Sequence, residues 1–359
     1  MSLILKSWMG SIGSGQNWET YWGIRYPFNL VVTKLSPSSV RLNWENEGSG
    51  WEGVCIERGD INNYFEEIDR ISFDSTYYVD NHSFVAGTFF YRIRYFRGSY
   101  YSDYSGIDVV IIYGNELDFY LLPLETSLSS EQVTKLQTLI TELKVATGSD
   151  SLSEAFDSIY LWHNETQEAS PRNLAKDAHH GIEVNAPVWT QSQGYQGASG
   201  KYIDLNYNPA TQGVAFQRDS CSLGYYSWTN NTDDRSNGTI TAGGGKCHVS
   251  GRNGSNQFWA ALNTNGYANL GTNYIGNGMF IATRTGSNLI RGFRNNVYFG
   301  QSTDASIDII NQGHYGLAQR MGVTIYYSGI QQGILFYGRG LTDAESIAIG
   351  QAFVKYLTT

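Results

Sequence analysis

The sequence is short of charge, proline and cysteine. Charged side chains make up 16% of its 359 residues and prolines number 6, where a soluble domain averages roughly 25% charged residues. The three cysteines, Cys55, Cys221 and Cys247, stand far apart in the chain. That excludes a dense disulfide framework and fits reduced thiols. No stretch approaches the ~18 consecutive apolar residues of a membrane-spanning helix. Met1-Ser2-Leu3-Ile4-Leu5-Lys6 lacks the charged start, long apolar core and small-residue cleavage site of a secretory leader. Neither membrane insertion nor Sec-type export is therefore expected. Dense basic runs are missing too: the net charge of −9 splits into −12 over residues 1–199 and +3 over residues 200–359. Without clustered Lys and Arg to neutralise phosphates, nucleic acid is not an expected partner.

Glycine and aromatic residues are abundant instead, with 40 Gly, 26 Tyr and 9 Trp. An apolar content of 41% can bury enough surface to offset chain entropy, which excludes intrinsic disorder. The mixture suits β-sheet joined by tight turns and argues against collagen or long coiled coils. At ~100–200 residues per domain, the length implies more than one.

Residues 1–25 carry Trp8, Trp18 and Trp22 without sustained periodicity. They are expected to form an N-terminal attachment arm whose aromatics need a partner surface, or else a segment packed on the next domain. Over residues 26–114 the pattern is one of short strands. Val40-Arg41-Leu42-Asn43-Trp44-Glu45 alternates apolar and polar residues, as does Phe89-Phe90-Tyr91-Arg92-Ile93-Arg94, and Glu47-Gly48-Ser49-Gly50 is a turn cluster. Leu42-x-Trp44, Val54-x-Ile56-Glu57-Arg58, Tyr78-Val79-Asp80, Gly87-Thr88 leading into Tyr91-Arg92-Ile93, and Tyr101-Ser102-x-Tyr104-Ser105 follow in order. In that order the segment resembles a fibronectin type III domain. The usual corner tyrosine falls on Phe89, so the resemblance implies that its hydroxyl bond to the backbone is missing.

Residues 115–180 read as a helix-containing lead. Ser129-Ser130-Glu131-Gln132 has the form of a capping box, and Val133, Leu136, Ile140 and Leu143 follow at helical spacing. A second short helix is expected around Ser153–Phe156, leading into a strand at Ile159–Trp162. Residues 181–359 are rich in Gly, Asn, Ser and Tyr, with hairpin signals at Asn237-Gly238, Asn253-Gly254 and Asn277-Gly278. They close on Thr342-Asp343-Ala344-Glu345, another capping box, with Ile349, Ala352, Phe353 and Tyr356 on one helix face.

The strand Ile159–Trp162, then Gly194-Tyr195-Gln196-Gly197, Tyr202-Ile203-Asp204, Ala282-Thr283-Arg284-Thr285 and Gly340-Leu341-Thr342-Asp343-Ala344-Glu345, resemble in their order the concanavalin A-like (laminin-G-like) domains of tailed-bacteriophage fibre and spike proteins. The expected fold class is mainly β: a small immunoglobulin-like (fibronectin type III) sandwich, then a larger concanavalin A-like jelly-roll sandwich with short flanking helices.

Catalytic constellations are thin. A glycosidase needs two carboxylates about 5–10 Å apart, yet no glutamate occurs between Glu183 and Glu345, and Glu67-Ile68-Asp69 has Ser72 where a second glutamate would belong. Adjacent His179 and His180 would point to opposite sides of an extended segment and cannot converge on one metal. Gly243-Gly244-Gly245-Lys246 lacks the spacing of a phosphate loop and reads as a hairpin turn. No enzyme activity, cofactor or metal is expected. Asp233 and Asp234 alone are too few acidic ligands for calcium.

Sugar recognition needs directional hydrogen bonds beside an aromatic face. Trp228 with Asp233, Asp234, Arg235 and Asn237 offers that mixture, as does Trp259 with Asn263 and Tyr267. The alternative for each run is a polar hairpin tip beside a core tryptophan. The resemblance implies a virion fibre, spike or capsid-decorating protein on the particle surface. It would be a homo-oligomer, by analogy a trimer, attached to other virion proteins through its arm and presenting a lectin-like domain to host-surface glycan. A purely structural decoration protein and, less favoured, a glycan hydrolase are the alternatives.

Overall fold

The computed structural model describes residues 26–359, apart from residues 37–38, 61–63, 83–86, 113–114, 122–123, 125, 234 and 242. Trp8, Trp18 and Trp22 of the expected arm, and Asp234, lie outside the described residues. The chain divides into two compact units between Asp118 and Phe119.

The first unit has eight strands: β1 (Phe28–Ser36), β2 (Ser39–Glu45), β3 (Gly53–Gly59), β4 (Phe65–Ser72), β5 (Tyr77–Asn81), β6 (Gly87–Arg97), β7 (Tyr100–Tyr101) and β8 (Asp108–Ile112). One sheet runs β1-β2-β5; the other runs β4-β3-β6, with β7 and β8 both on the far edge of β6. All pairings are antiparallel. The period-2 alternation turns Val40, Leu42 and Trp44 inward from β2, and Tyr91, Ile93 and Tyr95 inward from β6. With Val54, Ile56, Val110 and Ile112 they form one core, each side chain contributing roughly 1.5–3 kcal/mol of burial. This is an immunoglobulin-like sandwich of the fibronectin type III kind.

The buried hydroxyl near this corner bonds to a side chain, not to the backbone. Phe89 is only half-buried, whereas Tyr91, two residues on, is fully buried and donates to Asp80 Oδ2 at 2.8 Å. The partner is a carboxylate, itself paired with Arg58 at 2.9 Å. On the outer face of β4-β3-β6, guanidinium groups stack between rings: Arg92 lies 4.0 Å from the Phe65 ring and 3.8 Å from that of Tyr104, and Arg94 lies 3.9 Å from Tyr101. Glu57 accepts from both arginines and from Tyr104 Oη, so charge on this face is neutralised locally.

In the second unit the strands are β9 (Phe156–Leu161), β10 (Ile182–Val184), β11 (Val188–Thr190), β12 (Gly194–Gln196), β13 (Tyr202–Asp204), β14 (Cys221–Ser227), β15 (Asn237–Ile240), β16 (Lys246–Ser250) and β17 (Gln257–Thr264). They continue with β18 (Ala268–Thr272), β19 (Gly278–Gly286), β20 (Leu289–Arg294), β21 (Val297–Ser302), β22 (Tyr315–Gly316), β23 (Ala318–Met321), β24 (Thr324–Tyr327) and β25 (Gln331–Gly338). An eight-stranded sheet runs β11-β12-β25-β14-β19-β20-β21, with β9 also on β25. A six-stranded sheet runs β18-β17-β16-β15-β23-β24, and a small one runs β10-β13-β22. Side chains of the two large sheets meet in one core that includes Leu223, Tyr225, Val249, Phe258, Phe280, Leu335 and Tyr337.

The eight-stranded sheet is covered on its other face as well, which is why β9, β14 and β25 are buried almost throughout. The helix Asp343–Thr358 sets Phe353 against Phe336, ring to ring at 5.4 Å, and packs along the helix Ser130–Thr147. Thr342 and Glu345 form the expected reciprocal capping box. The Ser129 box forms only by half. Ser129 caps the Gln132 amide at 3.1 Å, but its own N–H donates to Glu165, and Gln132 turns inward to donate to Tyr356 Oη at 2.8 Å. A buried tyrosine hydroxyl needs that partner more than an exposed helix end does. Among the described residues no helix is long and apolar enough to cross a membrane.

Candidate functional site

Pairing in the six-stranded sheet aligns Ala261, His248, Gly238, Gln319 and Tyr326 in one row across five strands. Paired residues share a face, and this row faces away from the core, because Cys247, Val249, Phe258, Ala260 and Leu262 take the inward positions. Trp259, Lys246, Ile240 and Met321 lie on the same outer face by alternation.

Tyr267, in the turn after β17, folds back over this row. Its ring stacks on Trp259 at 4.9 Å and 18°, meets His248 edge-on at 5.6 Å, and its hydroxyl accepts from Gln319 Nε2 at 3.2 Å. Lys246 Nζ stands 5.4 Å from the Tyr267 ring and donates to the carbonyls of Gly244, at 2.8 Å, and Asn265. Beyond Gln319, Arg235 lies 4.3 Å over the Tyr326 ring. At one end of this face a groove of about 650 Å³ is walled by Lys246, Tyr267, Met321 and Val323 over Ile240. Val323 is 97% exposed.

Of the residues expected from sequence, Trp259, Tyr267 and Arg235 share this face. Trp228 does not. It follows β14 in the other sheet and stacks on His163 at 5.8 Å, above Gly333, where an added Cβ would come within 2.9 Å of the indole nitrogen. Asp233 is structural: it accepts from Arg235 N at 2.8 Å and from Ser328 Oγ, fixing the loop to the end of β24.

Asn237 and Asn263 are corrections, since both are fully buried. Asn237-Gly238 is not a hairpin tip. It lies inside β15, where Gly238 takes φ 119° and Asn237 Oδ1 accepts from Leu317 N at 3.3 Å. Asn263 donates to the Arg218 carbonyl at 3.1 Å. Lys246, Gln319 and Tyr326 were missed, because β15 meets β23 in parallel some 80 residues later and only the sheet register brings them together.

The histidines do not converge. His179 pairs with the Asn206 carbonyl, and His180 with Asn173 N and Asp177; burial lowers the pKa of both. The three cysteines are free and buried.

Two other imidazoles predict acid sensitivity. His314 sits among Tyr207, Phe216 and Tyr337, without a hydrogen-bond partner for either ring nitrogen among the described residues. Burial lowers it to about 3, and burial together with Lys135 lowers His163 to about 4. The unfolded chain protonates near 6.5, so the stabilisation is complete above pH 6.5. It drains as pH falls, through about 4 for His163 and about 3 for His314. Each ring should cost about 1.4 kcal/mol per pH unit within its window. Urea unfolding at pH 7, 5 and 4 should show this slope, and His314→Phe should flatten it; an unchanged slope in that variant would remove His314 as a cause.

No protein family and no curated protein matches the sequence. Solved structures similar to the chain include the FN1–FN3 domains of chicken CNTN1, at 15% identity and TM-score 0.23, covering 24% of this chain and 30% of that one. An fn3 domain of human contactin 1 is similar at 13% identity and TM-score 0.25, covering 30% and 90%. An Fn3-like protein from Clostridium thermocellum is similar at 17% identity and TM-score 0.21, covering 24% and 88%. This chain thus spans under a third of the chicken chain's length and about nine-tenths of the other two.

Proposed function

We propose that the chain is a non-enzymatic virion protein of a tailed bacteriophage, a fibre, spike or capsid-decorating component, whose larger unit is a concanavalin A-like domain that binds host-surface glycan. The observation that carries the binding reading is the half-buried Tyr267 ring, stacked on Trp259 and set beside the Lys246 ammonium at the wall of an open groove. A flat ring flanked by fixed donors is what a sugar face and its hydroxyls require. Among the described residues no carboxylate lines the groove, which favours binding over hydrolysis. On this reading residues 1–25 attach to other virion proteins, the fibronectin-like unit is a spacer, and a homotrimer on the particle surface multiplies weak sites into avidity of about 10²–10⁴-fold.

A structural decoration protein without ligand is the second reading. It draws support from the structural parts taken by Asp233, Asn237 and Asn263.

The test is a glycan array with the purified full chain and with Trp259→Ala and Tyr267→Ala. Binding without product release is expected, weakened about two- to tenfold in each variant, in line with ~0.5–1.5 kcal/mol for an aromatic contact, with the fold retained by circular dichroism. Absence of binding by the unmodified protein would select the structural reading, and released oligosaccharide would make it a hydrolase.

A further inference from the structure

The groove carries an uncompensated positive charge. Lys246 Nζ is held by two neutral carbonyls, those of Gly244 and Asn265. Among the described residues the contacts of Lys246 are these carbonyls and the Tyr267 ring, and the guanidinium of Arg235, at the far end of β15, lies over the Tyr326 ring. Arg284 and Arg320 of this unit are likewise held by backbone carbonyls, but only Lys246 among these cations lines the groove. An ammonium has three donors; with two on carbonyls, the third is available toward the groove that Lys246 lines with Tyr267. The sheet beneath is neutral on this face, with Gly238, Ile240, Gln319 and Met321 in the paired positions. Charge complementarity therefore singles out the occupant.

We propose that the groove recognises an acidic glycan, with a sugar carboxylate accepting a charge-assisted bond from Lys246 while the ring lies against Tyr267. This rests on the glycan-binding reading and narrows it to carboxylated sugars. Arg235, stacked on Tyr326, sits at the opposite corner of the same face. A second acidic unit of a longer chain would meet it there.

The experiment pairs each acidic probe with its own methyl ester, which removes the charge and keeps the sugar. Uronate and sialate oligosaccharides and their esters are titrated calorimetrically into the full chain, into Lys246→Gln and into Lys246→Arg. The acid is expected to bind about tenfold more tightly than its ester, as for a hydrogen bond to a charged group, with the margin shrinking at high salt. Lys246→Gln should abolish the margin of the acid over its ester, whatever it does to both, and Lys246→Arg should keep that margin. Equal binding of acid and ester by the unmodified protein would overturn the carboxylate proposal and leave the glycan reading standing. Binding of no probe, acidic or neutral, would overturn both. If Lys246→Gln lost its fold by circular dichroism, the salt dependence and Lys246→Arg would decide.

Discussion

Replacing Asp157 by Ala is expected to lower the stability of the larger unit by about 3–5 kcal/mol, the cost of breaking a buried charged network by removing one partner. Asp157 is fully buried on β9. Its carboxylate accepts from Val214 N and Phe216 N, both at 2.9 Å, from Tyr207 Oη at 2.9 Å, and from Lys176 Nζ at 3.0 Å. Burial on its own raises the pKa of such a group. The amides of Phe216 and Val214 and the Lys176 ammonium outweigh it, so the carboxyl stays below its usual value. The anion is thus the form the fold requires, and its contribution is present above the ordinary carboxylate range and lost in acid. Alanine strands three amides, those of Val214, Ala215 and Phe216, with a hydroxyl and an ammonium. Asparagine should do little better, because its NH₂ would confront amide N–H groups. Thermal unfolding should move down by about 10 °C, at 2–4 °C per kcal/mol for a unit of this size. A shift under about 2 °C would mean that the network is not a stability element.

Arg284→Met should cost a similar amount, about 3–5 kcal/mol. The guanidinium is fully buried and meets no carboxylate: Nε donates to the Leu262 carbonyl at 2.8 Å, Nη1 to Ser287 at 2.8 Å and Gly286 at 3.1 Å, and Nη2 to Asp304 at 3.0 Å. Burial lowers its pKa, but an arginine keeps its proton under such conditions. Leu262 belongs to the six-stranded sheet and Arg284 to the eight-stranded one, so the side chain ties the two layers. Methionine fills the volume but deprives four carbonyls of their donor. Lysine, with three donors on a flexible stem, should recover part of the loss only. Urea unfolding of both variants would measure this, and a methionine variant as stable as the unmodified chain would show that water satisfies those carbonyls instead.

The first unit was largely legible because its core is written in local alternation. Val40, Leu42, Trp44, Tyr91, Ile93 and Tyr95 face inward as a period of two demands, and the fibronectin-like motif order placed them on the right strands. What the motif order did not show is the side-chain bond from Tyr91 to Asp80, which depends on how close β6 comes to β5. In the second unit, Thr342 and Glu345 marked a helix start correctly because a capping box is a contact between residues three apart.

The candidate face was legible only in pieces. Trp259, Tyr267 and Arg235 were chosen for residue type and came together, while Trp228, Asn237 and Asn263 were chosen by the same rule and did not. Residue type alone does not distinguish an asparagine at a hairpin tip from one whose amide serves buried backbone groups. Gly238, at positive φ, suits a turn and a strand irregularity equally.

Composition and short-range pattern thus determined the β class, the reduced cysteines, the capped helices and the alternation of the small sandwich, since each depends on residues within a turn or a strand of one another. Tertiary structure decided what depends on strands far apart: the parallel pairing of β15 with β23, the burial of Asp157 and Arg284, and the placing of Gln319 beside Tyr267. The physical reason is that sheet register is set by which faces bury together, and that choice is made by the whole core at once.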